Sequence, residues 1–330
     1  MLFFRLSIRH LHSLRPYQRD CVDVCLHKFL QQGVRKQIVS LPVGSGKTVV
    51  LSALLKALPS PNKQAIKSLV LAHREELIAQ AYKQIKLQCR DQVVVIDQAQ
   101  MHADVAQADI IVASVQTLTR KGSKRVAKYR PEDFKCIIID EAHHAAASTY
   151  RQVLDHFQAR EPTSPIFVWG CSATVQRHDA LGLGSIFDEI TYRLETLDLI
   201  QQGWLCDAQV TSIKTGVDLS RVGNDRAGGD FELNQLSLTI NTPERNRLVV
   251  EHWMMERNQR PLHSTLVFAA NVQHVMDLQK TFEAHGIHAL AVTSHSKVKE
   301  RRSHLELFRH RQVPVMINCG IFTEGTDVHI

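Results

Sequence analysis

Near-continuous runs of Val, Ile and Leu recur along this chain, separated by stretches of helix composition. The first set is KQIVSL (36–41), SLVLAH (68–73), QVVVID (92–97), DIIVAS (109–114), KCIIID (135–140) and PIFVWGCSAT (165–174). A strand with one wet face alternates apolar and polar residues, whereas an unbroken apolar run marks a strand buried on both faces. Helix-like segments fall between the runs: KTVVLSALLKAL (47–58), stopped by Pro59, and REELIAQAYKQIK (74–86). Strands alternating with helices predict an α/β fold built on a parallel, doubly wound sheet.

The alternation breaks at TGVDLSRVGNDRAGGDFELNQLS (215–237), a connector rich in Gly, Asp and Asn. It resumes with a helix opening at Thr242, with Pro243 in its first position. Then come STLVFAA (264–270), a helical 272–286, IHALAVTS (287–294), a helical 297–311 and VPVMINCG (313–320). A second α/β domain is expected, ending at Ile330 short of a complete sheet. The expected division is a leader at 1–13, a first domain at 14–205, a connector at 206–242 and a partial second domain at 243–330.

A net charge of +7 leans towards a polyanionic partner. More than half of it comes from Arg5, Arg9, Arg15 and Arg19, in an N-terminal stretch without a carboxylate. MLFFRLSIRHLHS has the Arg-rich, acid-free pattern of a mitochondrial transit peptide, which predicts the matrix as the destination; an ordinary tail is the competing reading. No apolar run approaches the ~20 residues needed to cross a bilayer. The seven scattered cysteines form no CxxC pair and read as reduced thiols. Cys21 and Cys25, one helical turn apart, read as core.

LPVGSGKTVV (41–50) places a glycine turn between a strand and a helix start. Such a turn aims several backbone N–H groups at one point, and the helix dipole adds positive potential there. Lys47 suits β- and γ-phosphates, and Thr48 suits Mg²⁺. The strict G-x-x-x-x-G-K-[ST] pattern requires glycine at position 41, where this chain has Leu41. A glycine turn without a ligand is the competing reading. The second half of a phosphate site is a carboxylate for the metal and a group that orients water. Asp140 and Glu141 stand where a buried strand ends, the edge at which such sheets bind ligands.

PVGSGKT, DEAHH and GCSAT, in that order, resemble motifs I, II and III of superfamily 2 helicases and translocases. LRPYQRD (14–20) is similar to the segment before motif I, LAHREELIAQ (71–80) to motif Ia and ASVQTL (113–118) to motif Ib. VFAANVQHVMDL (267–278) is similar to motif IV and FTEGTDV (322–328) to motif V. HREELI, DEAHH and a motif III running on to Arg177 and Asp179 resemble the branch of XPB-type and restriction-type double-stranded-DNA translocases. The likeness is nearest to yeast-type mitochondrial DNA branch-migration helicases. Val175 and the GTD of motif V depart from that branch's usual pattern.

The resemblance implies a P-loop NTPase with two RecA-like domains in tandem, ATP and Mg²⁺ as cofactors, and nucleic acid across both domains. It implies nucleotide contacts at Arg15, Gln18, Val43, Gly44, Ser45, Gly46, Lys47, Thr48, Gly325 and Asp327. Thr48 and Asp140 would hold Mg²⁺, and Glu141 would act on water beside Asp140 and Lys47. His143, Ser172 and Thr174 would couple hydrolysis to motion, and Arg74, Thr117 and Arg120 would face nucleic acid. Capping and ordinary surface exposure are the competing readings for these hydroxyls and arginines. The basic run KGSKRVAKYR (121–130) reads first as a solvated face. Motif VI, with its arginine fingers, would lie past Ile330; such fingers supply about 10³–10⁵ in rate, so slow turnover is expected of this chain. The expected partner is duplex or branched DNA. The rivals are an RNA helicase, a binding fragment with little turnover, and a P-loop enzyme of another class such as a kinase.

Overall fold

Each apolar run contributes a parallel strand. The computed structural model describes residues 14–175, 180–220, 222–223, 231–260 and 262–322, and the chain divides into units Met1–Gln209 and Val210–Ile330. The leader at 1–13, Arg177, Asp179, Gly325 and Asp327 lie outside the described residues.

The first unit opens with α1 (Pro16–Gln32), which Pro16 starts and Gly33 ends in the left-handed region. There follow β1 (Lys36–Ser40), α2 (Lys47–Ala57), β2 (Lys67–Ala72), α3 (Glu75–Gln88), β3 (Val94–Asp97) and β4 (Ile110–Ser114). The unit continues through α4 (Val115–Thr119), β5 (Phe134–Asp140), α5 (Ser148–His156), β6 (Phe167–Ser172), α6 (Ala180–Leu183), β7 (Glu189–Arg193) and α7 (Thr196–Gln201). The seven strands form one sheet in the order β3-β4-β2-β5-β6-β1-β7, and every pairing is parallel. Period-two alternation sorts each run between the two faces. Cys136 and Ile138 join Leu51, Leu54 and Ile78 under α1–α3, while Ile137 and Ile139 join Tyr150, Val153 and Leu154 under α5. Cys21 and Cys25 are fully buried in the first of these layers.

The second unit holds α8 (Leu233–Ile240), α9 (Pro243–Gln259), β8 (Thr265–Phe268), α10 (Val272–Ala284), β9 (Ala289–Val292), α11 (Val298–Arg309) and β10 (Val315–Asn318). Its described strands are parallel in the order β8-β10-β9. Thr242 caps α9 by accepting from the Arg245 amide, with Pro243 at the first position, as the sequence predicts. The stretch expected to be connector contains α8, so it is not irregular throughout. Among the described residues, no helix is long and apolar enough to cross a membrane.

His274 fixes the turn after β8. The Ala270 amide donates to its Nδ1 at 3.3 Å, so Nε2 carries the proton and donates to Asn246 at 3.1 Å. Asn246 donates on to Asn241, and Asn241 to Asp277, both at 2.8 Å. Burial, helped by Arg245 and opposed by Asp277, holds the His274 pKa below its usual value. The unfolded chain therefore takes up a proton near pH ~6.5 that the folded unit resists. Stability from this ring is present above that pH and falls as pH drops towards the lowered folded value. The opening free energy of the α9 and α10 amides, from hydrogen exchange corrected for intrinsic rate, is expected to decrease from pH 7.5 to 5.5. A His274→Gln protein should show a flatter profile.

Candidate nucleotide site

β6 lies between β1 and β5, so the segments following these strands emerge side by side at one sheet edge. Ser40 is in register with Ser172, and Asp140 with Cys171. The loop after β1 is built on two left-handed glycines, Gly44 (φ 81°) and Gly46 (φ 80°), and Gly46 caps α2. A Cβ on Gly46 would lie 2.5 Å from Gln18 Nε2, and one on Gly44 would lie 2.9 Å from Leu205 Cδ2. Leu41 explains the missing first glycine. It is fully buried at the strand end, and its amide donates to Ser172 O at 2.9 Å, so the tight turn begins only after it.

The N-terminal segment braces this loop. Tyr17 Oη and Gln18 Nε2 each donate to the Ser45 carbonyl at 2.8 Å. Gln18 Oε1 accepts from the Arg15 amide at 3.0 Å, and the Arg15 guanidinium donates to Tyr17 Oη at 3.1 Å. An amide side chain has two donor hydrogens and two acceptor lone pairs, so Gln18 keeps capacity for a base edge. The Ser45 hydroxyl turns inward to donate to Pro42 O at 2.7 Å, and its amide donates to the same carbonyl at 3.2 Å. Val43 stands exposed at the loop tip.

Lys47, at the first turn of α2, lies with its Nζ 3.6 Å from Glu141 Oε1. Asp140 and Glu141 are both buried, 5% and 9% exposed. Burial first, then the neighbouring Glu141 charge, raises the Asp140 pKa; the Cys171 thiol, Lys47 and the Glu141 amide oppose this. Glu141 adopts a left-handed backbone (φ 50°, ψ 56°), unusual for a residue with a side chain and of the kind that gathers at functional sites. Two adjacent buried carboxylates facing one ammonium suit a divalent cation. Mg²⁺ is held through one or two carboxylates plus substrate phosphates, not in an all-protein cage. Asp140 is a buried carboxylate of that kind, and among the described residues no cluster of three or more His, Cys, Asp and Glu offers an all-protein cage.

The loops after β5 and β6 touch. His143 Nδ1 is 3.0 Å from Ser172 Oγ and 3.6 Å from Glu141 Oε2. Ser172 Oγ also meets the Thr174 amide and carbonyl at 3.3 Å. Thr174 itself is exposed. The His144 ring packs edge-on against His73, at 4.4 Å, joining the ends of β2 and β5. Arg74 precedes α3, Thr117 lies in α4 and Arg120 is exposed just after it. These three follow β2 and β4, at the same sheet edge but on the far side of β5 from Lys47.

The basic run 121–130 is a solvated face only in part. Arg125 and Tyr129 turn inward around Asp97, which is 1% exposed. The Tyr129 hydroxyl donates to Asp97, Arg125 Nε lies 3.5 Å from it, and Arg125 Nη2 meets His102 at 2.7 Å. This buried group anchors the 98–102 loop, whose Ala99 amide donates to Thr117 Oγ1 at 3.2 Å. Asp97→Ala strands a guanidinium and a phenol, and removing one partner of a buried pair costs about 3–5 kcal/mol. The urea midpoint of the first unit should fall accordingly, and Tyr129→Phe should fall less.

Residues 11–177 match the family described as the type III restriction enzyme, res subunit. The chain belongs to that family. It is 40% identical over 319 residues to the Saccharomyces cerevisiae protein named "Putative ATP-dependent helicase IRC3", covering 96% of this chain and 45% of that one. Identity is 35% over 329 residues to the Schizosaccharomyces pombe "Putative mitochondrial ATP-dependent helicase irc3", covering 99% and 52%. The chain therefore spans about half the length of these relatives. The helicase domain of Pyrococcus furiosus Hef superposes with a TM-score of 0.57 at 16% identity, over 97% of this chain and 88% of that one. That likeness bears on fold alone, which is a RecA-like α/β arrangement. Tyr17 and Cys171 are the residues of this site that the motif reading passed over. Tyr17 sits beside the recognised Gln18, and the Cys171 thiol, in the segment GCSAT, donates to Asp140 at 3.4 Å.

Proposed function

We propose that this chain carries the ATP-hydrolysing part of a DNA helicase or translocase that works on duplex or branched DNA in mitochondria. The observation that carries the reading is the pairing of Lys47 with Glu141 at 3.6 Å beside the buried Asp140, at the mouth of a two-glycine loop. Lys47 and the loop amides hold the phosphates, Thr48 and Asp140 hold Mg²⁺, and Glu141 accepts the proton of the attacking water. Arg15 and Gln18 meet the base. The His143–Ser172 contact ties the state of this site to the loop after β6. Gly325 and Asp327 are proposed to complete the nucleotide contacts, and Arg74, Thr117 and Arg120 to contact a nucleic-acid backbone.

The names of the two yeast relatives support ATP dependence, and the S. pombe name supports a mitochondrial setting. Contact through phosphates implies weak sequence preference and a steep salt dependence. The test is ATP hydrolysis titrated with four-way junctions, duplex DNA, single-stranded DNA and single-stranded RNA at fixed salt. Junction or duplex DNA is expected to stimulate most. A larger effect of RNA would favour the RNA-helicase reading.

A further inference from the structure

The phosphate loop has a border that none of the motifs includes. After α7 ends at Gln201, Gly203 turns the chain with a left-handed φ of 74°. The amides of Trp204 and Leu205 both donate to the Leu199 carbonyl, at 2.8 and 3.1 Å. This closed turn brings two apolar side chains to the loop. Leu205 packs so closely on Gly44 that its Cδ2 excludes a Cβ there. Trp204 lies against the Arg15 guanidinium, whose carbon is 5.1 Å from the ring centroid, and edge-on to Tyr17 at 6.0 Å. From Tyr17 the contact continues to the Ser45 carbonyl. The indole is 36% exposed, whereas Trp169 is fully buried in the core.

We infer that Trp204 is a positioning residue for the base of the nucleotide, acting through Arg15; the inference rests on the ATP-site reading above. Arginine has a long flexible stem, and a guanidinium stacks on flat aromatic faces. Held over the indole, the Arg15 guanidinium is fixed as a platform on which a second flat ring, the purine, stacks with its other face. The phosphate end of the ligand is gripped separately by the glycine loop and Lys47. Trp204 therefore contributes to recognition of the base and not of the phosphates. Leu205 keeps the turn seated on Gly44, so the platform and the loop hold a fixed spacing.

The prediction separates the two ends of the ligand. Binding of ATP and of inorganic tripolyphosphate, each with Mg²⁺, is measured by calorimetry on the 330-residue chain and on its Trp204→Leu and Trp204→Phe forms. Leucine keeps apolar bulk against Tyr17 and lacks a π face, whereas phenylalanine retains one. A cation–π contact of this kind is worth roughly 3- to 20-fold in affinity. Trp204→Leu should weaken ATP by that factor, leave tripolyphosphate within about twofold, and be largely rescued by Trp204→Phe. Equal losses for ATP and tripolyphosphate, or no loss for either, would overturn the inference while leaving the ATP site intact. Failure of the unaltered chain to bind either ligand would overturn the ATP-site reading and the inference with it.

Discussion

Glu141→Gln is expected to lower ATP turnover by about 10²–10⁴-fold, the usual contribution of a positioned general base, while ATP affinity changes little. The amide matches the carboxylate in size and can still accept a hydrogen bond from water, but it cannot take a proton at neutral pH. The effect is large because Glu141 is set by its surroundings. It is 9% exposed, held in a left-handed backbone, and placed between Lys47 and His143 at 3.6 Å from each. Single-turnover hydrolysis beside equilibrium ATP binding separates chemistry from affinity. Turnover retained in the purified Gln protein would remove Glu141 from its assigned role.

Lys47→Ala is expected to act earlier, on binding. A hydrogen bond to a charged group contributes about 1.5–3 kcal/mol, or roughly 10- to 150-fold in affinity. The loss should lie at the upper end, because alanine also leaves Asp140 and Glu141 buried together without their ammonium partner. Calorimetry with Mg–ATP reads the affinity, and a thermal melt of the same sample confirms that the domain remains folded. An affinity within threefold of the unaltered chain would contradict a phosphate-binding role for Lys47.

The strand runs were legible because unbroken apolar runs have few alternatives in a chain of this composition. KCIIID yields β5, buried at all seven positions from Phe134 to Asp140. EITYR was not legible as β7. It is an edge strand, mixed in polarity and only partly buried, so its pairing with β1 comes from tertiary contact more than from local pattern. The order of the sheet was also hidden. Sequence spacing shows Lys47 and Asp140 far apart, and only the insertion of β6 between β1 and β5 brings Ser172 against both loops.

At the site, charged and glycine positions were readable because phosphate and metal chemistry restricts them to few residue types. Bracing residues were not, since a tyrosine or tryptophan in a sequence carries no mark of which loop it will touch. Tyr17 and Trp204 are examples, joined through Arg15 although they lie at opposite ends of the first unit's sequence. Ser45 shows the converse: a motif hydroxyl whose side chain serves the turn through Pro42. Arg125 and Tyr129 show why a basic run misleads. Charge counting treats every lysine and arginine alike, and the buried Asp97 recruits one arginine for structure.

The most direct test of the account is phosphate release from ATP by the purified chain, with and without a four-way DNA junction, compared with its Glu141→Gln form. The account predicts Mg²⁺-dependent release that rises when the junction is added and disappears in the Gln form. Release that is indifferent both to DNA and to Glu141→Gln would contradict it.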